Sequence, residues 1–191
     1  MVMANTNHPC EKPVETIAFG GATFEVVERP DVLWVGCVDY AANNTDESDI
    51  GTTLKRYREE LIDIPKRELV NPDWSASLSI NYTLDGKAPK GIMFAQETYT
   101  SGQDARYELF TQPGGLWLRI RNDHIAARLL GKDSAHTYEY FAGEQGILQC
   151  VAKAGGYMQN PDVPVQVEYH CHAEYNTPPH TNFAYIPIIK A

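Results

Sequence analysis

The chain of 191 residues predicts an α+β fold, a duplicated β-α-β-β unit forming one mainly antiparallel eight-stranded sheet with two helices on one face. Three observations predict it. Strand-like, helix-like and again strand-like segments follow in the same order through residues 23–104 and 105–191. Breaks containing proline or glycine separate them at corresponding places. Between the breaks, apolar residues switch from alternate spacing to helical spacing.

Residues 1–22 read as an N-terminal tail ahead of a domain spanning 23–191. Segments 23–28 (TFEVVE) and 32–38 (VLWVGCV) are rich in β-branched and aromatic residues and read as strands, punctuated by Pro30-Asp31. After the polar stretch AANNTDESD, Ser48 or Asp49 caps a helix on which Ile50, Leu54, Tyr57 and Leu61 share one face. Pro65 ends it, because the ring cannot continue the hydrogen-bond ladder. Strand-like runs 76–82 and 90–99 flank Leu84-Asp85-Gly86-Lys87, a hairpin signal. The second repeat opens with strands 107–112 and 115–121 around the turn Pro113-Gly114. A helix over about 134–154 sets Tyr138, Phe141, Gln145 and Leu148 on one side, weakened by Gly143 and Gly146. Pro161 and Pro164 break the chain before the closing strands 165–172 and 181–189.

Charge narrows the partners. A net charge of −9 repels a phosphate backbone unless a basic patch stands out. Lys55-Arg56-Tyr57-Arg58 runs straight into Glu59-Glu60, and Arg119 and Arg121 are flanked by Asp123, so direct nucleic-acid binding is not expected. No apolar run approaches the roughly 20 residues that cross a bilayer, and the polar N-terminus lacks a signal-peptide core. The expected location is the cytoplasm, away from membranes. Cys10, Cys37, Cys150 and Cys171 lack CxxC spacing and read as reduced thiols. P-loop, dinucleotide, serine-elbow and zinc-protease motifs are all missing, so no cofactor is expected.

Glu168 is the first candidate for chemistry. It interrupts a strand rich in valine and tyrosine, where a carboxylate without a partner is costly. There it would act as a counter-charge for a cation or as a general base. Trp34, Trp117 and Tyr185, on predicted strands, offer flat walls for planar or cationic guests. His170 and His172 alternate onto the face of Glu168 and Cys171 onto the other, but no second ligand pair at metal spacing accompanies them. No metal is expected; His170 instead tunes the carboxylate or touches ligand.

Four segments carry a resemblance. They are Val26-Val27-Glu28-Arg29-Pro30 with Trp34-Val35-Gly36; Phe94 to Glu97; Thr111-Gln112-Pro113-Gly114-Gly115-Leu116-Trp117; and Val167-Glu168 with Tyr185-Ile186-Pro187-Ile188. In order and spacing they resemble the GyrI-like family, the effector-binding domain of bacterial transcription activators. Trp117 stands where that family usually has tyrosine, and His170 where an aromatic often follows the glutamate. The resemblance implies a pocket with Glu168 at its base, on the sheet face that the helices leave uncovered, and with Trp34, Phe94, Trp117, His170 and Tyr185 around it. It implies capture of a lipophilic, often cationic, small organic ligand, with a homodimer allowed for. A second expectation is hydrolysis of an electrophilic, cyclopropane-type molecule, with Glu168 activating water and Tyr99 donating a hydroxyl. A third is modulation of gyrase through the acidic surface.

Overall fold

All eight strands marked out by β-branched and aromatic residues enter one antiparallel sheet, which reaches ten strands among the described residues. The computed structural model describes residues 11–43, 47–60, 64–81, 90–121, 146–171 and 183–191. In chain order the elements are β1 (Lys12–Phe19), β2 (Ala22–Arg29), β3 (Val32–Asn43), α1 (Glu47–Glu60), β4 (Trp74–Ile80) and β5 (Lys90–Glu97). There follow β6 (Glu108–Gln112), β7 (Gly115–Arg121), α2 (Ile147–Ala154), β8 (Tyr157–Gln159), β9 (Val165–Cys171) and β10 (Phe183–Lys190). The two strands beyond expectation are β1 and β8. β1 lies in the stretch expected as a tail; only Ile17 of its eight residues is fully buried, too faint a pattern to signal a strand. The helix expected over 134–154 is seen from Ile147, with Leu148 buried as expected. Tyr138, Phe141 and Gln145, the Leu84–Lys87 hairpin, Leu61 and His172 lie outside the described residues.

The strand order is β1-β2-β7-β10-β9-β4-β5-β3-β6, with β8 pairing β10 to one side. Each repeat makes a three-stranded piece with its last strand in the middle, β4-β5-β3 and β9-β10-β7, and the pieces join through β4 and β9. The strands leading into each repeat are exchanged: β2 runs into β3 but pairs β7, while β6 runs into β7 but pairs β3. Pro113-Gly114 is therefore not a hairpin turn. It and Pro30-Asp31 are crossover connectors that meet, the Gly114 N–H donating to Asp31 Oδ1 at 2.7 Å. A Cβ on Gly114 would stand 2.8 Å from the Arg29 carbonyl oxygen, so only glycine permits that approach.

Such short connectors draw the two flanks of the sheet together. Val27 and Trp117, from one flank, share a core with Trp34, Val38 and Met93 from the other. The sheet thus curls around its helix-free face, with β1 and β6 as separate edges among the described residues. On the opposite face α1 sets Tyr57 against Val35, Cys37, Ile92 and Phe94. There α2 sets Leu148, Val151 and Ala152 against Phe24, Val26, Leu118, Ile120 and Ile186.

Candidate functional site

Register decides which candidates can meet. Cys37, Phe94, Ser77, Glu168, Ala184 and Ile120 are successive cross-strand partners, and partners in register share a face. Cys37 and Phe94 belong to the core under α1, Ala184 and Ile120 to the core under α2. Glu168 consequently sits on the helix side, between the two helices, not on the uncovered face where it was expected. Alternation along β4 and β9 adds Ser75, Ser79, Gln166 and His170 to a polar strip around the Ser77–Glu168 pair. Ser77 Oγ lies 3.0 Å from His170 Nε2. Glu168 is half-buried, and Gln166 is 1% exposed with neither amide atom hydrogen-bonded. Phe94, on the same row, is buried beneath α1. Tyr99 is 71% exposed and lies five residues beyond Phe94, about 16 Å along at the rise of a strand, so it does not join Glu168.

The other three ring candidates lie together on the helix-free face. Trp34, Trp117 and Tyr185 are all buried in its core. Trp34 and Trp117 are each third in their strand and four residues beyond the connector proline, and each meets a polar side chain from an exchanged strand. Trp34 Nε1 donates to Gln112 Oε1 at 3.2 Å. The guanidinium of Arg29 lies 5.8 Å from the Trp117 ring centroid, 5.4 Å from Tyr169 and 4.6 Å from Tyr185. Arg29 and Gln112 are equivalent, each directly preceding its proline.

Around Arg29, sequence reasoning missed a charged centre. The Arg29 guanidinium donates to the Tyr169 hydroxyl and to Glu97 Oε1, and the Tyr169 hydroxyl donates to the same Glu97 oxygen. Arg29 Nε is 3.1 Å from Glu11 Oε1, and Arg119 Nη1 is 2.7 Å from Glu11 Oε2. Arg119 also donates through Nε and Nη2 to Glu25 Oε2. Burial opposes the charge on Arg29, but Tyr169, Tyr185, Glu11 and Glu97 more than offset it and raise its pKa. Burial likewise pushes both phenols up, so Tyr169 and Tyr185 stay neutral at physiological pH. Two signals were present. Arg29 and Gln112 share a place before proline, and Glu97 closes the Phe94–Glu97 segment. Tyr169 faces opposite to Glu168 simply because it is the next residue along a strand.

Chemically, this face offers aromatic surface with two buried guanidinium groups held by three carboxylates. That combination suits stacking and charge-assisted hydrogen bonding more than bond cleavage. Tyr169, Trp74 and Phe110 remain half-buried around the same core, so part of it reaches solvent. Among the described residues no group of three or more His, Cys, Asp or Glu could hold a metal ion. Nor is any described helix long and apolar enough to cross a membrane.

No family model and no curated protein matches the chain. Solved structures do. SAV2435 bound to tetraphenylphosphonium is similar over 88% of this chain and 93% of its own, with a TM-score of 0.54 at 12% identity. An integron cassette protein from the mobile metagenome of Vibrio cholerae covers 88% of this chain and 95% of its own, at TM-score 0.48 and 16% identity. EcmrR, in a cryo-EM complex with DNA, covers 95% of this chain and 58% of its own, at TM-score 0.49 and 12% identity. At these identities the first likeness speaks for the fold alone.

Proposed function

We propose that this chain is an effector-binding domain of the GyrI-like type that takes up a small aromatic organic molecule on the ring-lined face of its curled sheet. One observation carries the proposal: Trp34, Trp117, Tyr169 and Tyr185, drawn from both repeats, gather on a single face around a buried guanidinium. An interior built only for stability would avoid the desolvation of a guanidinium. The fold shared with a protein that binds tetraphenylphosphonium supports the same reading. Glu11, Glu25 and Glu97, instead of Glu168, are the carboxylates that meet the arginines of this face. Titrating the protein with tetraphenylphosphonium, 2-naphthol and 2-naphthoate while following tryptophan emission tests it. Saturable quenching by at least one probe is expected, weakened about tenfold in Tyr169→Leu. Linear, non-saturating responses to all three would sink the proposal.

A second reading rests on the polar strip. Glu168, with the Ser77–His170 contact beside it, supports activation of water toward an electrophilic small molecule. Turnover of a cyclopropane-containing electrophile, abolished in Glu168→Gln with probe quenching unchanged, is the expected result. Equal turnover by the variant would dismiss it.

A further inference from the structure

The carboxylate of Glu11 bridges two arginines from neighbouring strands, Arg29 on β2 and Arg119 on β7. Its side chain is 2% exposed, and it stands one residue ahead of β1. Three features set this contact apart from an ordinary structural ion pair. Arg29 Nη1 is buried and has no hydrogen-bond partner, and the short approach of Arg29 Nε to Glu11 Oε1 is too misaligned to count as a hydrogen bond. The guanidinium is therefore under-coordinated although it is fully dehydrated. The rings of Trp117, Tyr185 and Phe183 flank the two arginines, with the Arg119 guanidinium 5.5 Å from the Phe183 centroid. Lastly, the strand behind Glu11 is an edge: Lys12 through Thr16 are all exposed, so withdrawing Glu11 disturbs little packing.

We propose that Arg29 and Arg119 form a carboxylate site, that Glu11 occupies it as an internal stand-in, and that the ligand is a carboxylate on a flat aromatic body. The proposal deepens the reading of the ring-lined face as the ligand site and rests on it. The ligand's carboxylate replaces that of Glu11 between the guanidinia, and its ring lies against Trp117 and Tyr185. Glu25 keeps its hold on Arg119 and Glu97 its hold on Arg29, so removing Glu11 leaves two cations against two carboxylates on this face. An incoming anion restores the charge state found with Glu11 in place. A cation of the same shape offers no carboxylate to bridge Arg29 and Arg119 as Glu11 does, and it would have to displace Arg29 from its own rings. The same fold that holds tetraphenylphosphonium elsewhere is thus turned here toward the opposite charge.

The probes are 2-naphthoate and 2-naphthylmethylammonium, two ligands of one shape and opposite charge, read by tryptophan emission and calorimetry. Glu11→Gln should bind 2-naphthoate about tenfold or more tightly than the native chain, because the competing carboxylate is gone. It should not gain affinity for the ammonium, and adding Arg119→Gln should cancel the gain. In the native chain, saturating 2-naphthoate should speed amide exchange across Lys12–Phe19 as Glu11 is displaced. That arm needs no substitution and decides the matter if Glu11→Gln fails to fold. Equal gains for both probes, or no gain with unchanged exchange in β1, would overturn the carboxylate site. If tetraphenylphosphonium or 2-naphthol still quenches saturably in that case, the ring-lined face stands as a ligand site. If nothing binds, both fall.

Discussion

Gly36 and Gln166 show two opposite kinds of constraint on a single side chain. At Gly36 a Cβ would stand 2.1 Å from the Phe94 carbonyl oxygen and 2.8 Å from the Ala95 Cα, both backbone atoms that cannot swing aside. Gly36→Ala should therefore cost about 2 kcal/mol or more, read as a lowered urea midpoint with an unchanged slope. A midpoint equal to the parent would contradict the close strand approach. Gln166 is the reverse case, a buried amide with both polar atoms unpaired. Gln166→Met keeps the volume and removes the unmet hydrogen bonds, so it should be neutral or stabilising by about 1 kcal/mol. A loss above about 2 kcal/mol would mean that the amide is satisfied after all.

Among the elements, β1 adds side-chain ion pairs and hydrogen bonds to its backbone ladder with β2. Tyr157 donates its hydroxyl to Glu15, Lys190 Nζ lies 3.2 Å from the same carboxylate, and Lys190 also sits 3.7 Å from the Tyr157 ring centroid. The hydrogen bonds from Tyr157 and then Lys190 hold the Glu15 pKa below its ordinary 4.5. A carboxylate lowered on folding contributes fully above its unfolded pKa and loses that contribution as the pH falls through the folded value. Glu15→Gln should accordingly melt below the parent at neutral pH, with the gap narrowing once the pH drops under about 4.5. Melting curves collected from neutral pH into the acid range check this, and a gap independent of pH would refute it. Neighbouring α2 needs no such device, since Leu148, Val151 and Ala152 seat it on apolar surface.

For the whole molecule, the exchange of β2 and β6 makes neither repeat self-sufficient. Residues 23–104 alone would leave β2 without β7, β3 without β6 and β4 without β9. That fragment should show no cooperative unfolding transition by circular dichroism, whereas a sharp transition would mean that the repeats fold independently. The strands themselves were legible because one half-buried face prints a period of two on the residues. The exchange was not, because Val26 or Leu109 carries no mark of which strand it will pair. Period two also told that Glu168 and Tyr169 point apart, but not which of those faces the helices would cover. The charged centre escaped notice because Glu11, Arg29, Glu97 and Arg119 are scattered along the chain and meet only once the sheet curls. Finally, Ser77 and Glu168 are equivalent positions that face each other across the joint between repeats. A residue on such an axis meets its own equivalent, so a second carboxylate at position 77 would set acid against acid. Facing like charges repel at this spacing, which makes Ser77→Glu the substitution this joint should tolerate least.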